Sequence, residues 1–363
     1  MLEVAFLTDA PRVAGSEVWL ADLLPRLPAH GIRPTLYLPR HHTLDRFVQG
    51  LAAVSVQRYD DPTGLPDLTR SADLRVVQAW EPGTYRALLP RLAAPRVVVS
   101  HDQLDYHYPA PVRALYREIF RRTKANAFRQ ADGVVTVSNW GAGFLREQMQ
   151  LGTTQAMTNG ADADKFRPAL PDERAALRAG LGFSRFTVLV PGRFTLEKNQ
   201  LAAVRAARHA PALEFVFVGD MDAGMGVAAQ ALARRLHLQN VRFLGRRWDM
   251  PELYRAADAL LQPTLAENQS LVTLEAMSSG LPVVTTPIPA QAELVRDGVD
   301  GLLVPAQPAL LAQALLALAA HPDRARQFGA SARQRVLDHH THDSSAAQLA
   351  SLLHAASRGS AHE

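Results

Sequence analysis

The sequence lacks cysteine altogether, and lysine occurs only three times in its 363 residues, at Lys124, Lys165 and Lys198. Without cysteine the chain can form no disulfide bond, thiolate zinc site or iron–sulfur cluster, and it has no cysteine nucleophile. The basic residues, nearly all of them arginine, exceed the acidic ones by a formal charge of +4. Because no long basic block accompanies this small excess, the composition argues against a nucleic-acid partner.

Long apolar runs are missing too. The longest helical one, residues 310–320, is far shorter than the ~20 residues that span a bilayer. The first residues show neither the basic start nor the long apolar stretch of a signal peptide. We therefore expect a cytoplasmic protein, with peripheral contact to the inner face of the membrane as an open alternative.

Short apolar runs alternate with helical patterns, which is typical of parallel sheets covered by helices. At about 150 residues per domain, the length predicts two domains. The predicted strands are residues 4–7, 35–38, 76–79, 97–100 and 134–138, and then 187–190, 215–218, 241–244, 259–261, 283–285 and 302–304. A turn-rich passage at residues 158–164, followed by Pro168 and Pro171, marks a boundary. We predict two doubly wound α/β domains, at residues 1–168 and 169–342.

In open parallel sheets, ligands bind in the loops at the carboxyl ends of the strands. The first such loop contains Gly15, ahead of a helix that we expect to start near Val18. A glycine there lets backbone amides approach a phosphate, and the plainer alternative is a turn with Ser16 as the helix cap. His101 directly follows another predicted strand and is either a group for polar catalysis or a structural histidine.

A second loop, residues 191–199, carries Arg193 and Lys198. These two cations, placed between a strand and a helix, can grip two phosphates from different sides, because arginine offers a planar fork and lysine a mobile point charge. The alternative interpretation is a pair of solvated surface cations.

The most specific stretch contains two glutamates, Glu267 before a predicted helix and Glu275 inside it. Ser270 or Asn268 can cap this helix, and Gly280 ends it. A carboxylate amid apolar neighbours needs a hydrogen-bond partner, and a ribose diol suits Glu275. The alternative partner is a nearby backbone group or an arginine.

Three further features allow more than one interpretation. Basic residues crowd the predicted helix at residues 111–130, which suits either anionic lipid headgroups or an ordinary solvated face. They are Arg113, Arg117, Arg121, Arg122, Lys124 and Arg129, next to Tyr106, His107, Tyr108 and Tyr116. The D-x-D sequence at residues 220–222 imitates a metal motif but is interpreted as a structural loop, and the histidine-rich residues 339–343 as a solvated linker.

Taken together, these motifs resemble the retaining nucleotide-sugar glycosyltransferases of glycosyltransferase family four. Glu267 and Glu275, with seven residues between them, match the E-x7-E signature of that family. Gly192-Arg193 with Lys198 is similar to its donor-phosphate motif, and residues 158–162 to its interdomain N-G-V-D sequence. The resemblance covers almost all of the second domain and the outline of the first.

The resemblance implies a GT-B fold, in which two Rossmann-like domains face a central cleft and a C-terminal helix at residues 343–363 completes the first domain. It implies that Arg193 and Lys198 bind the donor diphosphate, together with Gly15 and the helix start at Gln269, Ser270 and Leu271. Glu275 then holds the ribose, while Glu267 and His101 contact the transferred sugar. These implied catalytic and donor-binding residues need no metal and no cofactor beyond the nucleotide-sugar co-substrate.

The resemblance thus predicts an enzyme that moves a hexosyl group, with retention, from a nucleoside diphosphate sugar to a lipid or saccharide acceptor in envelope glycolipid or polysaccharide synthesis. A UDP-sugar is the favoured donor. The usual glycine-rich sequence after Glu267 is replaced by Asn268-Gln269-Ser270, and a double glycine by residues 287–290, so the donor sugar stays open. The alternatives are an NAD(P)-dependent oxidoreductase, although no G-x-G-x-x-G follows the first strand, and a non-catalytic sugar-nucleotide-binding protein.

Overall fold

The computed structural model describes residues 1–51, 54–105 and 107–359. The chain divides into two compact units. The first contains residues 1–105, 109–159 and those from His342 onward; the second contains residues 160–341 and the short segment around His107. Each unit is built on a parallel sheet, which confirms the predicted α/β class.

In the described part of the first unit, seven parallel strands form a sheet in the order β3-β2-β1-β4-β5-β6-β7. They are β1 (Leu2–Leu7), β2 (Ile32–Pro39), β3 (Ser55–Tyr59), β4 (Leu74–Val77), β5 (Arg96–Ser100), β6 (Gly133–Thr136) and β7 (Thr154–Ala156). The central strand β4 is buried at every position, because helices cover both faces of the sheet. Apolar residues on the two faces form two separate clusters of buried side chains.

The helices of the first unit follow the strands in alternation. Those before the second unit are α1 (Gly15–Leu23), α2 (Asp45–Gln49), α3 (Leu65–Leu68), α4 (Pro82–Leu88), α5 (Ala110–Phe120), α6 (Asn126–Phe128) and α7 (Asn139–Gln148). Short 3₁₀ stretches occupy Leu24–His30, His42–Leu44 and Pro62–Gly64. A π-helical stretch, Arg121–Ala125, joins α5 to α6, so the predicted helix at residues 111–130 is one segment with a wider turn inside it.

The second unit has a parallel sheet in the order β10-β9-β8-β11-β12-β13. Its strands are β8 (Thr187–Pro191), β9 (Glu214–Val218), β10 (Val241–Phe243), β11 (Ala259–Gln262), β12 (Val283–Thr285) and β13 (Gly301–Leu303). Its helices are α8 (Pro171–Leu181), α9 (Gln200–His209), α10 (Met225–Arg235), α11 (Met250–Ala256), α12 (Leu271–Ser278), α13 (Pro289–Leu294), α14 (Pro308–Ala320) and α15 (Pro322–His339). No helix among the described residues is long and apolar enough to cross a membrane.

The last helix, α16 (His342–Gly359), belongs to the first unit. Its Leu349 and Leu353 are buried in the same cluster as β1, and Ser345 Oγ donates to Thr158 O (2.7 Å). The predicted C-terminal helix at residues 343–363 overlaps α16, and its final four residues lie outside the described part of the chain.

The predicted boundary after residue 168 differs from the division in the structure, which falls between residues 159 and 160. Residues 160–168 pack with the second unit because Phe166 is buried in the core of that unit. The interpretation of residues 339–343 as a solvated linker is wrong. His340 and His342 are only 5% and 8% exposed, and His342 Nε2 lies 3.6 Å from Asp22 Oδ2.

Each sheet has one point where its strand order reverses direction. In the first unit this point lies between β1 and β4, and in the second between β8 and β11. In open α/β sheets the loops after such strands diverge, and ligands bind beside them at the carboxyl ends of the strands.

Candidate active site

Two loops meet at the reversal point of the second sheet. We call residues 191–199, after β8, the Lys198 loop, and residues 263–270, after β11, the Glu267 loop. Leu265 N donates to Glu197 O (2.6 Å), as does Thr264 Oγ1 (3.1 Å), and Asn199 Nδ2 donates to Pro263 O (3.0 Å). These bonds hold the two loops at a fixed spacing.

Close backbone packing at the start of the Lys198 loop requires glycine. Gly192 has a φ of 134° and Gly219 has a φ of 154°, a region that side chains with a Cβ rarely adopt. A Cβ on Gly219 would lie 2.1 Å from Gly192 O. The loop therefore leaves β8 tight against the loop that follows β9.

A buried ion pair joins the two loops. Lys198 Nζ donates to Glu267 Oε1, and the two side chains are 13% and 6% exposed. Gln262 Nε2, at the end of β11, donates to the same carboxylate oxygen (3.3 Å). Because Lys198 is buried against a carboxylate, it is not the solvated surface cation of the alternative interpretation.

Arg193 lies in the same loop but in a different environment. Its side chain is 55% exposed, and its nearest carboxylate oxygen, on Glu197, is 3.9 Å from Nη2. The backbone below it is held by Gln200 Nε2, which donates to Arg193 O (2.6 Å). The guanidinium is thus exposed on a fixed backbone, where an anionic ligand can reach it.

The helix α12 begins at the end of the Glu267 loop. Ser270 caps it, because its Oγ accepts a hydrogen bond from Thr273 N (3.3 Å), so the choice between Ser270 and Asn268 falls on the serine. Gln269, Ser270 and Leu271 form its amino-terminal end, and Gly280, with a φ of 75°, follows its carboxyl end. The positive end of the helix dipole and its first amides face this loop and favour an anion.

Glu275, inside α12, is half-buried and accepts a hydrogen bond from the hydroxyl of Tyr254 (2.9 Å). Tyr254 is fully buried in α11, and burial, together with the neighbouring carboxylate, raises the pKa of its hydroxyl well above the usual value. The hydroxyl therefore stays protonated and orients one carboxylate oxygen. No local spacing pairs Tyr254 with Glu275, because the two residues lie in separate helices.

Gly15 and His101 belong to the first unit. Helix α1 begins at Gly15 with Ala14 as its cap residue, so the expected start near Val18 and the serine cap are both wrong. Glu17 explains the earlier start, because its carboxylate accepts a hydrogen bond from Ala14 N (3.0 Å) and closes the first turn. Burial raises the pKa of Glu17, although its hydrogen bonds with Ser16 and Ala14 act to lower that pKa.

His101 follows β5 and is half-buried. Its Nε2 lies 3.1 Å from Gln78 Oε1, and its ring meets Trp19 edge-on at 4.7 Å between centroids. Burial lowers its pKa to about 4, although Asp102 opposes this shift. The imidazole is therefore neutral at physiological pH, and Gln78 connects it to Ser16 O (3.1 Å) at the start of α1.

The basic helix of the first unit is largely neutralised. Asp105, which is 8% exposed, binds Arg113 and Arg117 together. Glu118 binds the next two arginines along the segment, and Asp102 binds Lys124. A row of apolar side chains is exposed instead, at Val112, Leu115, Tyr116 and Ile119. Tyr106, which the sequence placed beside this helix, lies outside the described residues.

The D-x-D residues behave differently from a metal motif. Asp220 Oδ2 lies 3.5 Å from Arg246 Nη1, and Asp222 is exposed. Across residues 1–51, 54–105 and 107–359, no group of three or more histidine, aspartate or glutamate side chains is arranged to hold a metal ion.

Two parallel α/β units, each with a strand reversal point, agree with the nucleotide-sugar glycosyltransferases of the GT-B type that the sequence resembles. Comparisons with known proteins support this class. Residues 13–165 match the model of glycosyltransferase family 4, and residues 185–321 match that of glycosyl transferases group 1.

Two relatives and one structure illustrate the match. Alpha-maltose-1-phosphate synthase of Mycolicibacterium smegmatis is 31% identical over 302 residues, which cover 74% of this chain and 78% of that protein. An Escherichia coli UDP-Gal:alpha-D-GlcNAc-diphosphoundecaprenol alpha-1,3-galactosyltransferase is 31% identical over 40% of each chain. The crystal structure of Anabaena Alr3699/HepE in complex with UDP-glucose superposes with a TM-score of 0.81 at 22% identity, covering 98% of this chain and 100% of that one. The chain belongs to glycosyltransferase family 4.

Proposed function

We propose that this glycosyltransferase transfers a hexosyl group, with retention of anomeric configuration, from a UDP-sugar to a lipid or saccharide acceptor in envelope glycolipid or polysaccharide synthesis. The observation that carries the proposal is the Lys198–Glu267 pair at the reversal point of the second sheet. A mobile cation and a carboxylate side by side suit a donor that joins a diphosphate to a hydroxyl-rich sugar.

In this proposal the leaving diphosphate is stabilised by fixed positive charge. Arg193 is exposed on a held backbone, and Lys198 moves from Glu267 to a phosphate oxygen when the donor binds. The amides at Gln269, Ser270 and Leu271 add the positive end of α12. Charge placed before the reaction stabilises the departing nucleoside diphosphate without reorganisation.

The remaining roles follow from hydrogen-bonding capacity. Glu267, released from Lys198, accepts hydroxyl groups of the transferred sugar, and Glu275 accepts the ribose diol with Tyr254 holding its orientation. In the first unit, neutral His101 contacts the sugar, and Gly15 brings the start of α1 to a phosphate. No covalent nucleophile and no metal enter this proposal.

Two comparisons favour UDP as the nucleotide. The name of the E. coli relative specifies UDP-Gal as its donor, and the HepE structure contains UDP-glucose. The same E. coli name specifies a diphosphoundecaprenol acceptor, and the M. smegmatis relative is named for a sugar phosphate product. These names support both kinds of acceptor, a lipid-linked one and a soluble saccharide.

The direct test incubates the purified chain with labelled nucleotide sugars, without acceptor, and measures the slow release of free sugar. We expect release from a UDP-hexose, unaffected by EDTA because no metal is required. Release from none of the donors, together with binding of NAD(H), would replace this proposal with the oxidoreductase alternative. Donor binding without release, and without transfer to any lipid or saccharide acceptor, would support a non-catalytic binder.

We also propose that helix α5 rests on an anionic membrane surface. Val112, Leu115, Tyr116 and Ile119 recur at helical spacing and are 41–58% exposed, which forms an apolar stripe on one face. The six basic residues between residues 110 and 129 outnumber the three carboxylates that pair with them, Asp102, Asp105 and Glu118, so a net positive charge remains beside the stripe. An apolar face flanked by arginines is typical of helices that lie in the interface of anionic bilayers.

Co-sedimentation with vesicles of anionic or neutral phospholipid tests this membrane contact. We expect Leu115→Glu and Ile119→Glu each to lower binding to anionic vesicles several-fold. Leu337→Glu, which changes an exposed leucine on α15, serves as the matched control and should bind as the wild type does. Equal binding by all four proteins would exclude α5 as the membrane contact.

A further inference from the structure

The reversal point of the first sheet carries an arginine above the face of a tryptophan. Arg12 lies in the loop after β1, and Trp80 lies directly beyond β4, so the pair sits where the two strand-end loops diverge. The guanidinium carbon of Arg12 lies 5.9 Å from the centroid of the Trp80 ring. None of the roles proposed above uses either residue.

Trp80 is held in place from two sides. Its backbone N donates to Asp9 Oδ1 (2.6 Å), and its indole Nε1 donates to Glu17 Oε1 (3.2 Å). Thr84 Oγ1 donates to the second oxygen of Asp9 (2.5 Å). The ring is half-buried, so a fixed aromatic surface remains open to solvent.

Arg12, by contrast, is exposed and makes no hydrogen bond or ion pair with any described residue. Asp9 and Glu17, the nearby carboxylates, are already occupied by hydrogen-bond donors. The two arginines on α5 contact a carboxylate, whereas Arg12 has no carboxylate partner among the described residues. A guanidinium near an aromatic face keeps its edge available to an oxyanion.

We propose that Arg12, above the face of Trp80, binds a phosphate group carried by the acceptor. The inference rests on the proposed function, because it assigns the anion to the acceptor rather than to the donor. The planar fork of arginine matches two oxygens of a phosphate, and the Trp80 ring offers a face for the sugar that carries it. The chemical class of acceptor is therefore a phosphorylated saccharide or a phosphate-linked glycolipid.

The test follows the indole ¹⁵N–¹H signal of Trp80, identified among the four tryptophans with Trp80→Phe. The full chain is first saturated with UDP and then titrated with inorganic phosphate, glucose 1-phosphate or glucose. We expect a saturable shift with both phosphates and none with glucose. The absence of a saturable shift with either phosphate would overturn the proposal.

Variants establish which cation binds the probe. Arg12→Gln should weaken the apparent affinity for glucose 1-phosphate about tenfold, the effect of losing one charge-assisted contact. Arg12→Lys should restore part of it, because lysine keeps the charge without the fork. Arg86→Gln, which removes an exposed arginine of α4, is the matched control and should retain the full response. An unchanged affinity in Arg12→Gln would remove Arg12 from the site.

The order of addition separates acceptor from donor. If UDP alone shifts the Trp80 signal and then blocks the phosphate response, Arg12 binds the donor and the acceptor assignment is wrong. The titration needs no turnover, so its failure differs from failure of the proposed function. A chain that releases no sugar from any donor, but still gives an Arg12-dependent phosphate response, would lose the proposed transfer and keep the anion site.

Discussion

At the scale of single residues, the most consequential contact is the Lys198–Glu267 pair. Burying either charge alone is expensive, and removing one partner leaves the other uncompensated. Glu267 has Gln262 as a further neighbour, but an amide carries no charge. Lys198 therefore has two roles: it pairs with the buried carboxylate of Glu267, and its ammonium group is well placed to move to an incoming phosphate.

Replacing Lys198 tests this double role. We expect Lys198→Ala to lower donor turnover at least about tenfold, because a charge that stabilises the leaving diphosphate is lost. Lys165→Ala is the matched control, since Lys165 is exposed and remote in sequence from the two loops, and it should keep wild-type turnover. Circular dichroism checks that both variants are folded. Wild-type turnover in Lys198→Ala would remove this residue from the phosphate site.

His101 provides a prediction on pH. Its pKa in the folded chain is about 4, below the value of about 6.5 for an exposed histidine. The neutral form is thus favoured by folding, and this contribution to stability is present above about pH 6.5 and is lost as the pH falls toward 4. An NMR titration of the ring, assigned with His101→Gln, should show a midpoint near 4. A midpoint near 6.5 would mean that the ring is solvated.

Sequence and structure diverge at this scale for a physical reason. Glu267 and Glu275 could be recognised from their local spacing around a helix start, and Lys198 from its place in the loop after a predicted strand. Gln262 and Tyr254 contact the two glutamates from β11 and α11, and folding brings those side chains together. An uncharged buried residue has no sequence pattern that marks it as the hydrogen-bond partner of a carboxylate.

At the scale of elements, all eleven predicted strands correspond to strands of the described structure, whereas β3 and β7 were missed. Both are edge strands of the first sheet. β3 alternates between exposed and partly buried positions, and β7 has three residues with one buried. The sequence of a strand covered on both faces is a continuous apolar run, which predicts a strand. The sequence of an edge strand lacks such a run.

The sequence predicts a helix for the segment from α5 to α6, but it does not predict which contacts hold this helix to the rest of the first unit. Asp105 adopts a φ of 50° just before α5, and its carboxylate holds Arg113 and Arg117. Although burial acts to raise its pKa, the two arginines lower the pKa of Asp105 well below its usual range. This clamp fixes a helix that has no buried residues of its own.

Asp105→Asn tests the clamp while keeping the backbone, because asparagine tolerates a positive φ. We expect a loss of about 1–3 kcal/mol in the free energy of unfolding at pH 7, less than for a fully buried pair because both arginines are about a third exposed. A lowered pKa stabilises the fold above the ordinary aspartate value of about 4 and loses that effect as the pH falls.

Urea unfolding at neutral pH and near pH 3 measures both effects. The difference between Asp105→Asn and the wild type should be largest at neutral pH and should shrink in acid. Glu118→Gln, which opens exposed pairs on the same helix, is the control and should change stability much less than Asp105→Asn does. A difference that stays constant across pH would show that the carboxylate charge does not stabilise the helix.

At the scale of the whole molecule, the chain leaves the first unit, builds the second and returns to the first with α16. Local patterns predicted a helix there, but burial of Leu349 and Leu353 against residues of β1 joins positions more than three hundred residues apart. No periodicity in the sequence encodes that pairing. The boundary was misplaced for a related reason, since a proline-rich turn does not reveal which core Phe166 enters.

Because α16 belongs to the first unit, a mutation near the end of the sequence should destabilise that unit. Leu349 is fully buried in the cluster that contains Val4 and Phe6, and the second unit has its own clusters. Leu349→Ala should therefore cost about 2–5 kcal/mol and raise hydrogen exchange in β1, at the opposite end of the sequence, more than in β8. Leu315→Ala, which empties an equally buried position in the core of the second unit, should show the reverse pattern. If Leu349→Ala raised exchange in both strands equally, the two cores would unfold as one cooperative unit, because a cavity in either would then destabilise the whole chain.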